Sequence, residues 1–283
     1  MRFKNILKYL SLLLILSIIT ITSTSFAKAA DLDLQTKAEM FLKKIGTPEE
    51  IISQLEPWKV EQFYLKYGNM EYLKFSGYDK QILDVSENSV SEGTPQTYGN
   101  IPTSQLQLSI LTVDNYNPNT NVVSSVIVEL NYKWLKRPFF TMTDAMTFNW
   151  DSNLFVLKGF YAQSGYMIRD MYNRNQWAEV EFINSPARST SGGIGWYLET
   201  GRNITVPPSS TVISNNQGAA SILLHPKRTI YTNTTLNSDM HFNYAHQILG
   251  TNISLGISSG GPSAGVSFSG GSYDELAAYY TYH

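Results

Sequence analysis

The stretch Val126-Ile127-Val128-Glu129-Leu130-Asn131-Tyr132-Lys133-Trp134 alternates apolar and polar side chains almost without a break. Successive residues of a β-strand point to opposite faces. Val126, Val128, Leu130, Tyr132 and Trp134 therefore line an apolar face, while Ile127, Glu129, Asn131 and Lys133 line one that reads as mostly wet. Working outward, the same period places Leu106, Leu108 and Ile110 on one face, Met146, Phe148 and Trp150 on another, and Ala178, Val180 and Phe182 on a third. Clusters rich in Gly, Pro, Asn and Ser at Ser89 to Asn100, Asp114 to Asn121, Ser185 to Gly195 and Pro207 to Gly218 read as turns between strands. No helical crossovers separate the strands, as a parallel sheet would require. The expectation for 71–283 is a mainly β fold, an antiparallel β-sandwich or elongated β-domain.

Ahead of it, 30–70 has helical spacing. Ala38, Phe41, Leu42 and Ile45 recur at intervals of three and four and end at Gly46, the residue best able to take a left-handed conformation after a helix. Thr47-Pro48-Glu49-Glu50 then reads as a hydroxyl cap, a proline at the first helical position and a glutamate able to reach back. Pro57 opens a third segment, with Val60, Phe63, Tyr64 and Tyr67 on one face before Gly68. A small helical hairpin or trio is expected.

The first 29 residues read as a signal peptide. Arg2, Lys4 and Lys8 precede an apolar run from Leu10 to Ile21, shorter than the roughly 20 residues of a spanning helix, and Ala27-Lys28-Ala29 supplies a small-residue cleavage site before Ala30. Cleavage there removes four of 21 basic residues and none of 23 acidic ones, taking the formal charge from −2 to −6. A secreted, extracellular product is expected. It has no basic excess to hold nucleic acid. The absence of cysteine excludes disulfides, thiolate metal sites and cysteine nucleophiles.

Candidate chemistry is sparse. Ser258 and Ser263 each sit in a G-x-S-x-G string, but a nucleophile elbow needs a strand, a turn and a helix, and both strings lie in a Gly/Ser tract flanked by strand patterns. His225, Asp239, His241 and His246 are the only place to seek a metal or general base. Asp239 and His241 share a strand face and His246 takes the opposite one, so no zinc spacing results, and histidines hydrogen-bonded on the sheet surface or edge are the plainer reading. Glu179 and Glu181 share a face about 7 Å apart, a separation open to an inverting glycosidase pair, though period-2 charges usually mark a solvated face. Asp114 to Asn121 is rich in oxygens yet lacks the glycine and terminal glutamate of a calcium loop, and Asn117-Pro118-Asn119 is first a turn signal. These residues imply no catalytic group, no metal and no cofactor. Most of the aromatics, 18 Tyr, 13 Phe and 5 Trp, alternate with polar residues and so belong to the core.

What remains is 250–272, an uncharged amphipathic hairpin. Ile253, Leu255 and Ile257 alternate with Ser254, Gly256 and Ser258; after Gly260-Gly261-Pro262, Val266 and Phe268 alternate with Ser267 and Ser269. Ile253, Leu255, Ile257, Val266 and Phe268 are the residues expected to meet lipid, a partner or a second copy of the chain. Strands of about seven residues fall short of the 9 to 11 that cross a bilayer, so an ordinary hairpin closing the sandwich competes with that expectation.

Several strings carry a resemblance: KKIGTPEEII (43–52), IPTSQLQLSI (101–110) with VDNYN (113–117), ELNYKWLKRPFF (129–140) running toward DAMTFNWD (144–151), HFNYAHQ (241–247) and SLGISSGGPSAGVSFSGGSYDE (254–275). Together they resemble secreted proteins of spore-forming Gram-positive bacteria that include the geobacillin-type large bacteriocins. The resemblance implies a released protein that harms related bacteria and carries no catalytic residues across; taken with the signal peptide and the uncharged hairpin, the expectation is a non-enzymatic protein acting at the target envelope. From the residues alone, the alternatives are a wall- or carbohydrate-binding β-module without catalysis, and a hydrolase built on Glu179 and Glu181.

Overall fold

In the computed structural model Gly46 has φ +89° and ends α1 (residues 34–44) in the left-handed conformation. Its amide donates to the Lys43 carbonyl at 3.0 Å and the Thr47 amide to the Leu42 carbonyl at 3.0 Å, the two bonds of a Schellman motif. The structure describes residues 34–85, 104–136, 143–169, 175–182, 185–199, 205–206, 210–232, 234, 236–255 and 266–282, with backbone alone at 84–85, 104, 161, 163–169, 175–182, 199, 205–206, 210–216, 248–255 and 266–276. The predicted signal peptide, the turn at Ser89 to Asn100, Ile257, Ser258 and Ser263 lie outside the described residues.

The chain divides into two units, Met1–Glu71 and Tyr72–His283. In the first, α1 is followed by α2 (Glu49–Ile52) and α3 (Pro57–Tyr67). Ala38, Phe41, Leu42 and Ile45 are buried together with Ile52, Val60, Phe63 and Tyr67. Phe41 meets Phe63 at 6.0 Å and the edge of Tyr64 at 5.6 Å between ring centroids. Thr47 does not cap α2. Its amide is committed to the Schellman motif, Pro48 takes the cap position, and the Thr47 hydroxyl is buried without a partner among the described residues.

The second unit is an antiparallel β-sandwich. Its first sheet runs β1 (Leu73–Val85), β2 (Ser104–Asn117), β3 (Val122–Lys136), β10 (Ser210–Pro226), β5 (Phe155–Arg169) and β6 (Asn175–Phe182), with β9 (Thr205–Val206) on the start of β10. Its second runs β12 (Val266–Tyr282), β11 (Ser238–Leu255), β4 (Thr143–Asn149), β8 (Gly193–Glu199) and β7 (Arg188–Ser189). Most of the predicted apolar faces meet in one core, the side chains of Ala178, Val180 and Phe182 lying outside what is described. Leu106, Leu108, Ile110 and the Val126 to Trp134 set from the first sheet join Met146, Phe148, Trp150, Ile194 and Trp196 from the second side.

Other expectations fail in the sandwich. The face of β3 expected to be wet buries Ile127 completely and Asn131 nearly so. β3 lies between β2 and β10, where Ile127 pairs with Val113 on one side and Leu223 on the other, so this face carries an apolar row of its own. Pro207 to Gly218 is not all turn: from Ser210 onward it is strand, paired with β5. Register shifts between Ile213 and Asn215 and between Asn215 and Gln217 absorb its Ser and Asn residues without breaking the ladder. The clusters at Asp114 to Asn121 and Ser185 to Gly195 are likewise turn only in part: Asp114 to Asn117 ends β2, Arg188–Ser189 and the residues from Gly193 are strand, and the chain turns at Asn117 to Asn121 and between Ser189 and Gly193. The Asn121 amide donates to the Asn117 carbonyl at 2.7 Å, and Asn121 takes φ 55°.

Both sheets outrun their neighbours at one end. β10 pairs with β3 only from Gln217 to Leu224, and β11 pairs with β4 only from His241 to Ala245. Gln217 faces Lys133 on β3, and the next residue, Trp134, reaches Tyr244 and His246, so the two prolongations leave the sandwich at the same end.

Candidate functional site

β11 and β12 have 18 and 17 residues and stay paired from Ser238 and Tyr282 out to Leu255 and Val266. The expected strands of about seven residues are therefore too short. Beyond Ala245 the described residues give β11 no neighbour except β12, so Leu249–Leu255 and Val266–Ser272 form a two-stranded arm. The register places Ile253 opposite Phe268 and Leu255 opposite Val266. Of the predicted contact residues these four are brought together.

A bulge sets that register. Gln247 pairs with Tyr273 and Leu249 with Ser272, which leaves Ile248 as one extra residue on β11. On β12 the face that buries Tyr282, Tyr280 and Ala278 continues by period two to Phe268 and Val266. On β11 the buried Met240, Phe242, Tyr244 and His246 are even-numbered. After the bulge the odd residues Leu249, Ile253 and Leu255 take over that face. Without it the aliphatic residues of the two strands would fall on opposite sides of the arm.

A buried polar cluster sits at the root of the arm. Asp144 of β4 accepts from the Tyr244 hydroxyl at 2.6 Å and from the Gln247 backbone amide at 3.2 Å, and its other contact is His246 Nδ1 at 2.9 Å. A carboxylate has no proton to give, so Nδ1 is assigned as the donor. Trp134 Nε1 donates to the Tyr244 hydroxyl at 3.2 Å, and its ring stands edge-on to His246 at 5.0 Å. Burial first, and the neighbouring Asp144 second, hold the Tyr244 phenol well above the usual range, so it remains a donor. The Tyr–Asp–His composition resembles a proton relay, but all three residues are fully buried, and what they bind is the backbone where β11 leaves β4.

A second cluster ties the other end of β12 to the first sheet. The Tyr282 hydroxyl donates to Asp114 at 2.7 Å, and the Tyr280 hydroxyl accepts from Thr112 at 3.0 Å and donates to the Ser76 carbonyl at 3.2 Å. Burial pushes the Asp114 carboxyl up to about 6, against the pull of the Tyr282 hydroxyl and, more weakly, of Lys74. Gly77 is required here: a Cβ at that position would overlap the Tyr280 hydroxyl. Asp114 belongs to β2 and to this tie, so it is no calcium ligand at the head of a loop.

The remaining candidates do not converge. Asp239 is exposed and accepts from Thr281 at 3.0 Å; His241 stacks edge-on against Tyr279 at 4.7 Å. Burial lowers the pKa of His241, opposed by Asp239. His246 points the other way, as the strand period requires, but it lies in the core and not on the sheet surface or edge. His225 lies on β10 opposite Val156, its pKa lowered by burial and by Lys158. Among the described residues no group of His, Asp and Glu could hold a metal ion. Glu179 and Glu181 lie on β6, opposite Tyr166 and Ser164, at the margin of the first sheet.

Asp144 and Tyr244 were not singled out from sequence, although a signal was present. Asp144 is in phase with Met146 and Phe148, and Tyr244 with Phe242 and Met240, so a carboxylate stands in the apolar period of a core strand. A buried charge there requires a partner.

No family model matches the sequence, and no curated protein matches it. A solved structure described as "AvmM Catalyzes Macrocyclization in Alchivemycin A Biosynthesis" is similar at 13% identity over 56% of this chain and 79% of that chain, with a TM-score of 0.23. A likeness that low defines neither fold nor activity. Among the described residues, no helix is long and apolar enough to cross a membrane.

Proposed function

We propose that the chain is an exported antibacterial protein that works at the envelope of other bacteria, with the β11–β12 arm as the part that meets it. The supporting observation is the arm itself. It is two-stranded among the described residues, it carries no charge from Gln247 to Tyr273, and its register gathers Leu249, Ile253, Leu255, Val266 and Phe268 on one face. A strand pair of that kind has no side-chain charge to desolvate on leaving water, whereas a charged one has. The helical unit serves binding, inhibition or export. Purified protein should inhibit lawns of related Gram-positive species and release dye from vesicles of phosphatidylglycerol and phosphatidylethanolamine. An acidic residue on a lipid-facing strand position costs up to about 2 kcal/mol, so Phe268→Asp should lower release several-fold while the melting temperature holds. No inhibition and no release across a broad panel, or full activity in Phe268→Asp, refutes the reading.

One observation favours the second reading, a wall- or carbohydrate-binding module. Tyr279, stacked on His241, and Tyr197 are exposed on the outer face of the second sheet and offer rings to a sugar. Retention on purified peptidoglycan that is lost in Tyr279→Ala would select it.

A further inference from the structure

We infer that the partner of the arm is a second copy of the same arm, joined edge to edge so that several copies close into one antiparallel barrel. This rests on the envelope reading above and names what the arm binds there. Each arm strand uses one of its two backbone edges: among the described residues, Leu249–Leu255 and Val266–Ser272 pair only with each other. Inside a bilayer no water is present to satisfy a backbone N–H or C=O, so every one of them needs a partner in the protein. A lone ribbon with two open edges cannot enter, and in water it is marginal as well.

Several features make a like arm the fitting partner. The β11 edge of one copy and the β12 edge of the next run in opposite directions, so repeated addition gives an antiparallel order throughout and an even number of strands. The contact is head-to-tail, which a ring closes. The usual guards against edge pairing are missing, since no lysine or other charge occurs from Gln247 to Tyr273 and the one proline, Pro262, lies between the strands. The arm contributes seven paired residues per strand, Leu249–Leu255 and Val266–Ser272, and the sequence stays uncharged on both sides of them, from Gln247 to Tyr273. The bulge supplies the two faces of such a barrel, with Ile253, Leu255, Val266 and Phe268 on the lipid side and Asn252, Ser254, Ser267 and Ser269 on the water side.

The chain contains no cysteine, so introduced ones report cleanly. Four single variants, Asn252→Cys, Ser254→Cys, Ser267→Cys and Ser269→Cys, are made, the first two with a size tag. Each tagged chain is mixed with each untagged one, with and without the vesicles used for dye release, and oxidised with copper phenanthroline. The expected result is a mixed-size disulfide dimer in at least one combination, at least tenfold more abundant with vesicles than without. Dye release with no cross-linking in any combination overturns self-pairing and leaves the envelope reading standing. Absence of dye release by the unmodified protein overturns both.

Discussion

Replacing Asp114 by asparagine should raise stability at neutral pH and flatten its pH dependence. The carboxyl is buried, and desolvation moves its pKa from 3.8 to about 6 in the folded chain. A folded pKa above the unfolded one means that the protonated form is favoured by folding. The contribution is fully present below about pH 4 and is lost as pH rises through 6. A shift of about 2 units corresponds to about 3 kcal/mol between those limits. Asparagine keeps an oxygen for the Tyr282 hydroxyl, which donates at 2.7 Å, and carries no charge at any pH. The free-energy difference between variant and unmodified protein should therefore grow by about 2 to 3 kcal/mol in favour of the variant between pH 4 and pH 7.5. Urea unfolding at pH 4, 5, 6 and 7.5 measures it, and taking the difference cancels the titration of His241 and His225. Two stability curves that run parallel across that range would show that Asp114 does not carry this charge cost, and the tie between β2 and β12 would have to be read otherwise.

Asp144→Ala should cost about 3 to 5 kcal/mol in urea unfolding, because it strands the Tyr244 hydroxyl, His246 and the Gln247 amide in the core together. A loss below 1 kcal/mol would refute the assignment of this cluster as the clasp of the arm. Gly77→Ala should cost about 1 to 3 kcal/mol by driving the Tyr280 hydroxyl off the Ser76 carbonyl, and Tyr280→Phe in the same chain should recover part of it.

The sandwich was legible because alternation reports burial wherever one face is apolar and the other polar. Val126 to Trp134, Leu106 to Ile110 and Met146 to Trp150 all enter the core as read. The central strands gave less warning on their second face, since Ile127 looks like an isolated exception until Val113 and Leu223 are brought beside it by pairing. Ser210 to Asn216 misled because Ser and Asn favour turns locally, while a ladder to β5 over-rides that preference. Asp144 and His246 are 102 residues apart, a separation that no local pattern bridges. The arm was half visible. Its uncharged alternation could be read directly, but its length could not, because Ile248 interrupts the period and divides one 18-residue strand into two short patterns.

That interruption also explains why clasp and arm belong together. A one-residue slip on a strand moves every side chain to the other face, so an arm with one apolar face needs its register fixed at the root. Asp144 accepts the amide of Gln247, the last residue paired before the extra one, and holds His246 beside it. The bulge therefore starts from an anchored backbone position. Beyond it, no charged side chain on either strand opposes a slip, and Gly250 stands opposite Gly271 with no side chains to lock the pair. The phase of Ile253 against Phe268 is thus inherited from the core by way of Asp144. If this is right, the loss of Asp144 should disturb the arm before it unfolds the sandwich: backbone amide exchange at Leu249 to Leu255 should accelerate in Asp144→Asn under conditions where exchange at Val126 to Leu130 is unchanged.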